Sequence, residues 1–197
     1  MENSVQRALV VMDMQQGIVE RLDPDGTVLA RCRAAADAAR RAGVPVVFVR
    51  VAFRPGYPEA NPDNMAFGSL RERAGDTMTI DGAATQIHAG LAARPDEPVV
   101  VKKRVSAFAG SDLALLVGAL GVRHLVLCGL ATAGVVLSTV REAADRDFAL
   151  TVLADACADA DPEVHRVLVE KVFPRQAAVV YVDDWAAGLA AADGPAA

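Results

Sequence analysis

Residues Leu125–Val140 read LVLCGLATAGVVLSTV, and the fold class turns on this stretch. Four apolar residues, Leu125, Val126, Leu127 and Cys128, run into Gly-Leu-Ala-Thr-Ala-Gly, after which apolar residues return at helical spacing. A short unbroken apolar run punctuated by glycine is a strand buried on both faces, then a tight turn, then a helix N-terminus. In an α/β protein that turn lies at the carboxyl edge of the sheet, where ligands bind. The first N–H groups of the helix lack partners within it and can hold developing negative charge.

The same alternation extends in both directions. Ala8–Asp13 is an apolar run ending in an acid, and the spacing of Val28, Leu29, Cys32, Ala35 and Ala39 predicts a helix from about Thr27 to Ala42, stopped by Gly43. Pro45–Val51 is a second strand. Arg54–Thr79, with Pro55, Pro58 and Pro62, reads as a long excursion of the kind that forms a lid or a subunit interface. Asp81 is positioned to cap a helix running to about Ala93, and Pro98–Val101 is a third strand. Ser111 or Asp112 caps the next helix, ending near Gly121. His124–Cys128 is the fourth strand, and its helix runs to about Arg146. Ala149–Ala154 is the fifth strand. Asp161-Pro162 is a strong helix start, with Val164, Val167, Leu168 and Val172 on one face and a stop at Pro174. Ala177–Val182 is a sixth strand, followed by a short helix and a frayed Gly-Pro-Ala-Ala tail. Six alternations without a linker predict one α/β domain over residues 1–197 with a mostly parallel sheet. Right-handed crossovers then collect Asp13, Lys102 and Leu130–Val135 on one edge.

Composition narrows the partners. The chain has 197 residues, 53% hydrophobic and 23% charged, with a net charge of −5. That describes a globular chain, and its basic residues cluster only at Lys102-Lys103-Arg104, so nucleic acid is not an expected partner. No apolar run approaches the roughly 20 residues of a membrane span, and the start shows no secretory leader pattern. Three widely spaced cysteines, Cys32, Cys128 and Cys157, make neither a disulfide framework nor a zinc pattern, which fits a reducing cytoplasm. Cys128 lies within an apolar strand as a buried thiol, whereas Cys157, after the fifth strand, is expected to be more exposed. His88 and His165 fall on predicted helices and His124 at a strand start, none at metal-ligand spacing, so no metal site is expected. Gly129 and Gly134 are not followed by Lys-Ser or Lys-Thr, G-x-G-x-x-G is absent, and strand two closes on Arg50 rather than an acid. Phosphate-loop and dinucleotide cofactors are therefore disfavoured.

Two charged residues stand at strand ends. Asp13 is placed to be a semi-buried general acid or base, or simply a loop acid that caps the turn. Lys102 is placed to hold Asp13 ionised or to bind a substrate carboxylate, or to be one of three solvated edge cations.

Taken together, ALVVMDMQQG near the start, VKKRVSAF in the middle and GLATAGVVLSTVREAADRDFALTVLADACAD later resemble the isochorismatase-like hydrolase superfamily, whose members include cysteine amidohydrolases. The resemblance implies a three-layer α/β/α fold with a six-stranded parallel sheet of order 3-2-1-4-5-6. It implies catalytic roles for Asp13 and Lys102, and a non-proline cis peptide at Leu130–Ala131 that turns the N–H groups near Gly134 and Val135 into an oxyanion hole. It also implies a small-molecule substrate, no cofactor, and a homodimer or homotetramer in which the Arg54–Thr79 loop contributes. Gln15, Arg54, Tyr57, Asn61, Phe67 and Phe108 are the candidate substrate-binding residues.

The chain departs from the resemblance at one decisive point. Aligned on G-[VI]-A-T-D-x-C-V, the family's nucleophilic cysteine falls on Val135 and its preceding acid on Ala133. The thiolate of an acyl-enzyme route is therefore missing, and Cys128 lies seven residues too early to replace it. The Asp and His metal ligands of nicotinamidases have no match in Phe53–Phe67, and the Tyr-Ala-His of isochorismatases is Ala131-Thr132-Ala133 here. The expected protein is a hydrolase acting on a small carboxylate-bearing molecule through Asp13 and Lys102 without a cysteine, or a non-catalytic binding member.

Overall fold

Apolar strands buried on both faces need helices above and below them, and the chain supplies both. The computed structural model describes residues 6–192. Its strands are β1 (Arg7–Met12), β2 (Val46–Val51), β3 (Val99–Lys102), β4 (His124–Leu130), β5 (Ala149–Ala158) and β6 (Ala178–Val180). They form one parallel sheet in the order β3-β2-β1-β4-β5-β6, as expected. The order reverses direction between β1 and β4, so right-handed crossovers send helices to opposite faces and open a crevice at the carboxyl ends of these two strands. The helices are α1 (Gln16–Leu22), α2 (Thr27–Arg41), α3 (Leu70–Ala74), α4 (Leu113–Ala119), α5 (Leu137–Asp145), α6 (Pro162–Val167) and α7 (Val182–Ala192). None is long and apolar enough to cross a membrane.

β1 is buried along Ala8–Met12 and packs in the main core with Cys32, Ala35 and Ala39 of α2, the face predicted from spacing. Asp23 accepts from the Val28 and Leu29 N–H groups at 3.0 and 2.7 Å and so caps α2. Arg31 of α2 bridges Asp155 of β5 (2.6 Å) and Asp183 of α7 (3.0 Å), joining sheet, helix and C-terminal helix. Asp161 accepts from the Glu163 N–H at 2.9 Å with Pro162 at the first helical position, as predicted.

Three expectations need correction. Asp81 starts no helix: the segment holds only 3-10 turns at Ala83–Thr85 and Ala89–Leu91. Between them the chain runs extended and bonds to the segment after β1 through Gln16 N–H to Gln86 O and His88 N–H to Met14 O, each 2.9 Å. His88 is therefore the cap of a turn. Cys157 lies inside β5, which is longer than expected, and is buried. Val164 faces solvent, because α6 ends at Val167 and continues as a wider turn through Leu168–Val172 that buries Leu168 instead. The tail read as frayed lies outside the described residues.

The excursion after β2 contains α3 but no strand, and it is closed at its base. Phe53 N–H donates to Met78 O at 3.0 Å, and Ile80 N–H to Phe53 O at 2.8 Å. Val51, Phe53 and Tyr57 form a small apolar cluster beneath it, with Ile18, Phe67, Leu70 and Met78 packed around.

β1 and β4 approach unusually closely below the crevice. Gly129 pairs with Met12 at φ +129, and a Cβ there would lie 1.9 Å from the Met12 carbonyl oxygen. Any side chain must push the two central strands apart. Gly129→Ala is expected to destabilise the protein by about 3 kcal/mol or more, read as a lower urea midpoint. An unchanged midpoint would contradict this close approach.

Candidate active site

The residue that ends the β1 run leaves the strand in the left-handed region. Asp13 has φ +54, a conformation that Asp tolerates better than most residues, and its N–H still pairs with Val49 O at 2.8 Å. Lys102 ends β3 in register with Val51 of β2, so β2 separates it from β1. Two strand spacings are about 10 Å, which a long lysine and a short acid can together bridge. They do: Lys102 Nζ lies 2.8 Å from Asp13 Oδ2, with Asp13 and Lys102 only 6% and 2% exposed.

The same ammonium donates to the carbonyls of Arg104 (3.0 Å) and Val105 (3.1 Å), around which the loop after β3 curls. An ammonium has three donors, and all three are taken. Lys102 thus holds Asp13 and its own loop, and has no donor left for a further group. Asp13 Oδ1, by contrast, is buried without a hydrogen-bond partner. Burial is the main influence on this carboxyl and raises its pKa from 3.8 to about 6, with Lys102 pulling the other way. The folded pKa lies above the unfolded one, so the native state holds this proton more tightly. Stability from this group is therefore full below about pH 4 and falls as the pH climbs to about 6.

The other predicted residues do not gather here. The Gln15 amide is wholly occupied by backbone: Nε2 donates to Val51 O (2.9 Å) and Thr85 O (3.0 Å), and Oε1 accepts from Val51 N–H (2.8 Å). It is a buried clamp between the ends of β1 and β2, which corrects the expectation of a substrate contact. Phe108 stacks on Phe148 at 6.0 Å with Arg146 over its ring. Phe148 and Arg146 both lie just before β5, so the Phe108 ring is engaged by residues at the start of that strand. Tyr57 is buried, donating to Gly75 O and accepting from Met78 N–H, and thereby pins the excursion. Phe67 packs on Phe53 at 5.8 Å beneath the Arg104 guanidinium. Asn61 is exposed and closes a turn onto Asp63 N–H, while Arg54 is exposed and paired with Glu59 at 2.6 Å.

β4 ends beside β1, which places the turn after it next to Asp13. The Leu130–Ala131 peptide is cis, and Thr132–Val136 form a single wide turn leading into α5. Gly134 N–H donates back to Ala131 O at 3.1 Å and Ala133 N–H to Asp159 Oδ2 at 2.6 Å, so these two groups serve the protein's own oxygens. Val135 is buried. Two residues given no site role from sequence hold the turn from the far side: Asp159, just beyond β5, and His165 of α6, whose Nδ1 lies 2.8 Å from Thr132 Oγ1. Burial depresses the His165 pKa against the pull of Asp159. The signal for Asp159 was the acid-rich run Asp155–Asp161 at a strand's carboxyl end; His165, four residues beyond it, carried no comparable signal.

All three cysteines are buried; contact with Cys128 and burial push the Cys32 thiol well up, and burial does the same for Cys157. No group of three or more His, Cys, Asp or Glu among the described residues is arranged to hold a metal ion. A carboxyl-carbon NMR titration should place the Asp13 midpoint near pH 6, and in Lys102→Met it should move higher, because the one opposing charge is gone. A midpoint near 4 in both proteins would contradict the buried pair.

Comparison with known proteins agrees with this fold. A family profile described as "Isochorismatase domain" matches residues 7–184. The isochorismatase family protein YecD of Escherichia coli O157:H7 is 31% identical over 185 residues, covering 92% of this chain and 95% of that protein. The ureidoacrylate amidohydrolase RutB of Stutzerimonas stutzeri is 32% identical, covering 94% of this chain and 79% of that one. Among solved structures, an isochorismatase family protein from Burkholderia thailandensis superposes with a TM-score of 0.83 at 28% identity, covering 94% and 96% of the two chains. N-carbamoylsarcosine amidase from Thermoplasma acidophilum gives 0.74 at 25% identity, covering 90% and 97%. Sequence, strand order and the fold built on them converge, and the chain belongs to the isochorismatase family of hydrolases.

Proposed function

We propose that this hydrolase acts on a small, carboxylate-bearing molecule by general acid–base catalysis at Asp13, without a cysteine nucleophile. The observation that carries the reading is a buried carboxyl with one oxygen held by Lys102, the other unpartnered, and a pKa near 6. Near neutral pH such a group has both protonation states within reach. With a vinyl ether, Asp13 gives its proton to the vinyl carbon and leaves a cation at the ether carbon. Water adds to that cation and returns one proton to the Asp13 carboxylate; the resulting hemiketal collapses, its hydroxyl proton passing to the departing ether oxygen as the C–O bond breaks, which leaves a carbonyl and an alcohol. Lys102, its donors all in use, orients Asp13 and contributes positive charge rather than a hydrogen bond to substrate. Lys103 and Arg104 after β3, unlike Lys102 and Arg54, have no salt-bridged acid among the described residues and set positive charge at this edge of a chain of net charge −5, which favours an anionic substrate. Of the relatives, RutB and the T. acidophilum protein are named as an amidohydrolase and an amidase. An amide route through a thiol is disfavoured here, because Val135 aligns with the nucleophile and every cysteine is buried.

A second reading, a binding protein without turnover, has its own observation. Of the N–H groups near Gly134 and Val135 expected to receive an oxyanion, that of Gly134 already donates to Ala131 O, and the Ala133 N–H beside it is taken by Asp159.

Turnover screens across vinyl ethers, amides and ureas separate the two. In the first reading Asp13→Asn lowers kcat by about a thousandfold or more, the upper range for loss of a general acid. Full activity in that variant would remove Asp13 from the chemistry. Saturable binding with no turnover of any class would leave the second reading standing. Val135→Cys is expected to gain amide hydrolysis, and no gain would show that more than the thiol is missing.

A further inference from the structure

The excursion after β2 packs on its own apolar cluster and leaves a cavity of about 530 Å³ where it meets α1. We propose that this cavity is a second ligand site, separate from Asp13, for a small anion with an apolar body. Neither Asp13 nor Lys102 lines it. Its wall is apolar, from Ile18, Val51, Leu70 and Met78, and its volume lies within the range of about 300–1,000 Å³ usual for small-molecule sites.

Two arginines of different elements, Arg21 in the last turn of α1 and Arg73 of α3, also line the cavity and are exposed. Neither has a carboxylate within salt-bridge distance among the described residues. Arg73 donates to Ala66 O at 3.0 Å and keeps the rest of its guanidinium fork. Other arginines, Arg41 and Arg71 among them, also lack an acid within salt-bridge distance among the described residues, but only Arg21 and Arg73 border this apolar hollow. Two uncommitted guanidinium groups bordering an apolar hollow match a carboxylate joined to a hydrocarbon or aryl group.

The floor is fixed in advance. Gly17 lies so close to Ala84 that a Cβ would meet the Ala84 Cβ at 3.0 Å. The Gln15 clamp ties Val51 to Thr85, the neighbour of Ala84. A ligand here spends little on ordering this floor.

Titration of the labelled protein with sodium 4-phenylbutanoate, followed by amide NMR, tests the site. Saturable shifts are expected at Gly17–Arg21 and Ala74–Met78. Binding should weaken about tenfold or more in Arg21→Ala/Arg73→Ala and, in the native chain, with the uncharged 4-phenylbutanol. Ala74→Phe, which fills the hollow, should remove it. Asp13→Asn should leave it unchanged, so that loss of the catalytic reading and loss of this one are told apart. Equal affinity for acid and alcohol, indifference to both arginines, or shifts located elsewhere would overturn the proposal. So would a dimer by light scattering whose concentration-dependent amide shifts fall on these same residues while the acid causes none.

Discussion

The buried contact between Lys102 and Asp13 organises the carboxyl edge of this sheet. Bringing two charges out of water costs several kcal/mol each, and a pair alone rarely recovers it. The structure offsets the cost on the lysine side by giving Nζ two further carbonyls, and leaves the acid side short by one partner. The pair is thus a device for position more than for stability. It pulls the loop after β3 over the end of β2 and sets Asp13 beside the turn that follows β4.

That arrangement depends on backbone geometry beneath it. Gly129 lets β4 lie against β1 where no side chain fits, and Asp13 leaves β1 with positive φ. Gln15 then seals the gap with an amide that satisfies three backbone groups of β2 and of the turn at Thr85. Removing a glycine or an amide here disturbs strand ends rather than a surface.

Much of this was legible in the amino-acid order, because parallel strands buried on both faces write themselves as unbroken apolar runs and helix starts carry local chemistry. Asp161-Pro162, the face of α2 and the edge positions of Asp13 and Lys102 are of that kind. Where tertiary partners decide, local signals fail. Asp155 looks like the end of a strand, yet β5 continues through it because Arg31 and the Val182 N–H satisfy its carboxylate. Asp81 looks like a cap, yet the chain after it stays extended because the segment after β1 offers hydrogen bonds. Gln15 and Phe108 sit at suggestive positions, but their side chains are claimed by backbone and by Phe148, neither of which is visible in the order of residues.

Asp159 alters what the turn after β4 is. Its carboxylate sits on the Ala133 N–H at 2.6 Å, so this helix start carries a tethered anion of its own. A free anion seeking that N–H competes with a group whose effective concentration is on the order of millimolar or above. The turn is therefore already filled from within: any other acceptor reaches the Ala133 N–H only by releasing Asp159 and loosening the grip of the segment after β5 on the turn.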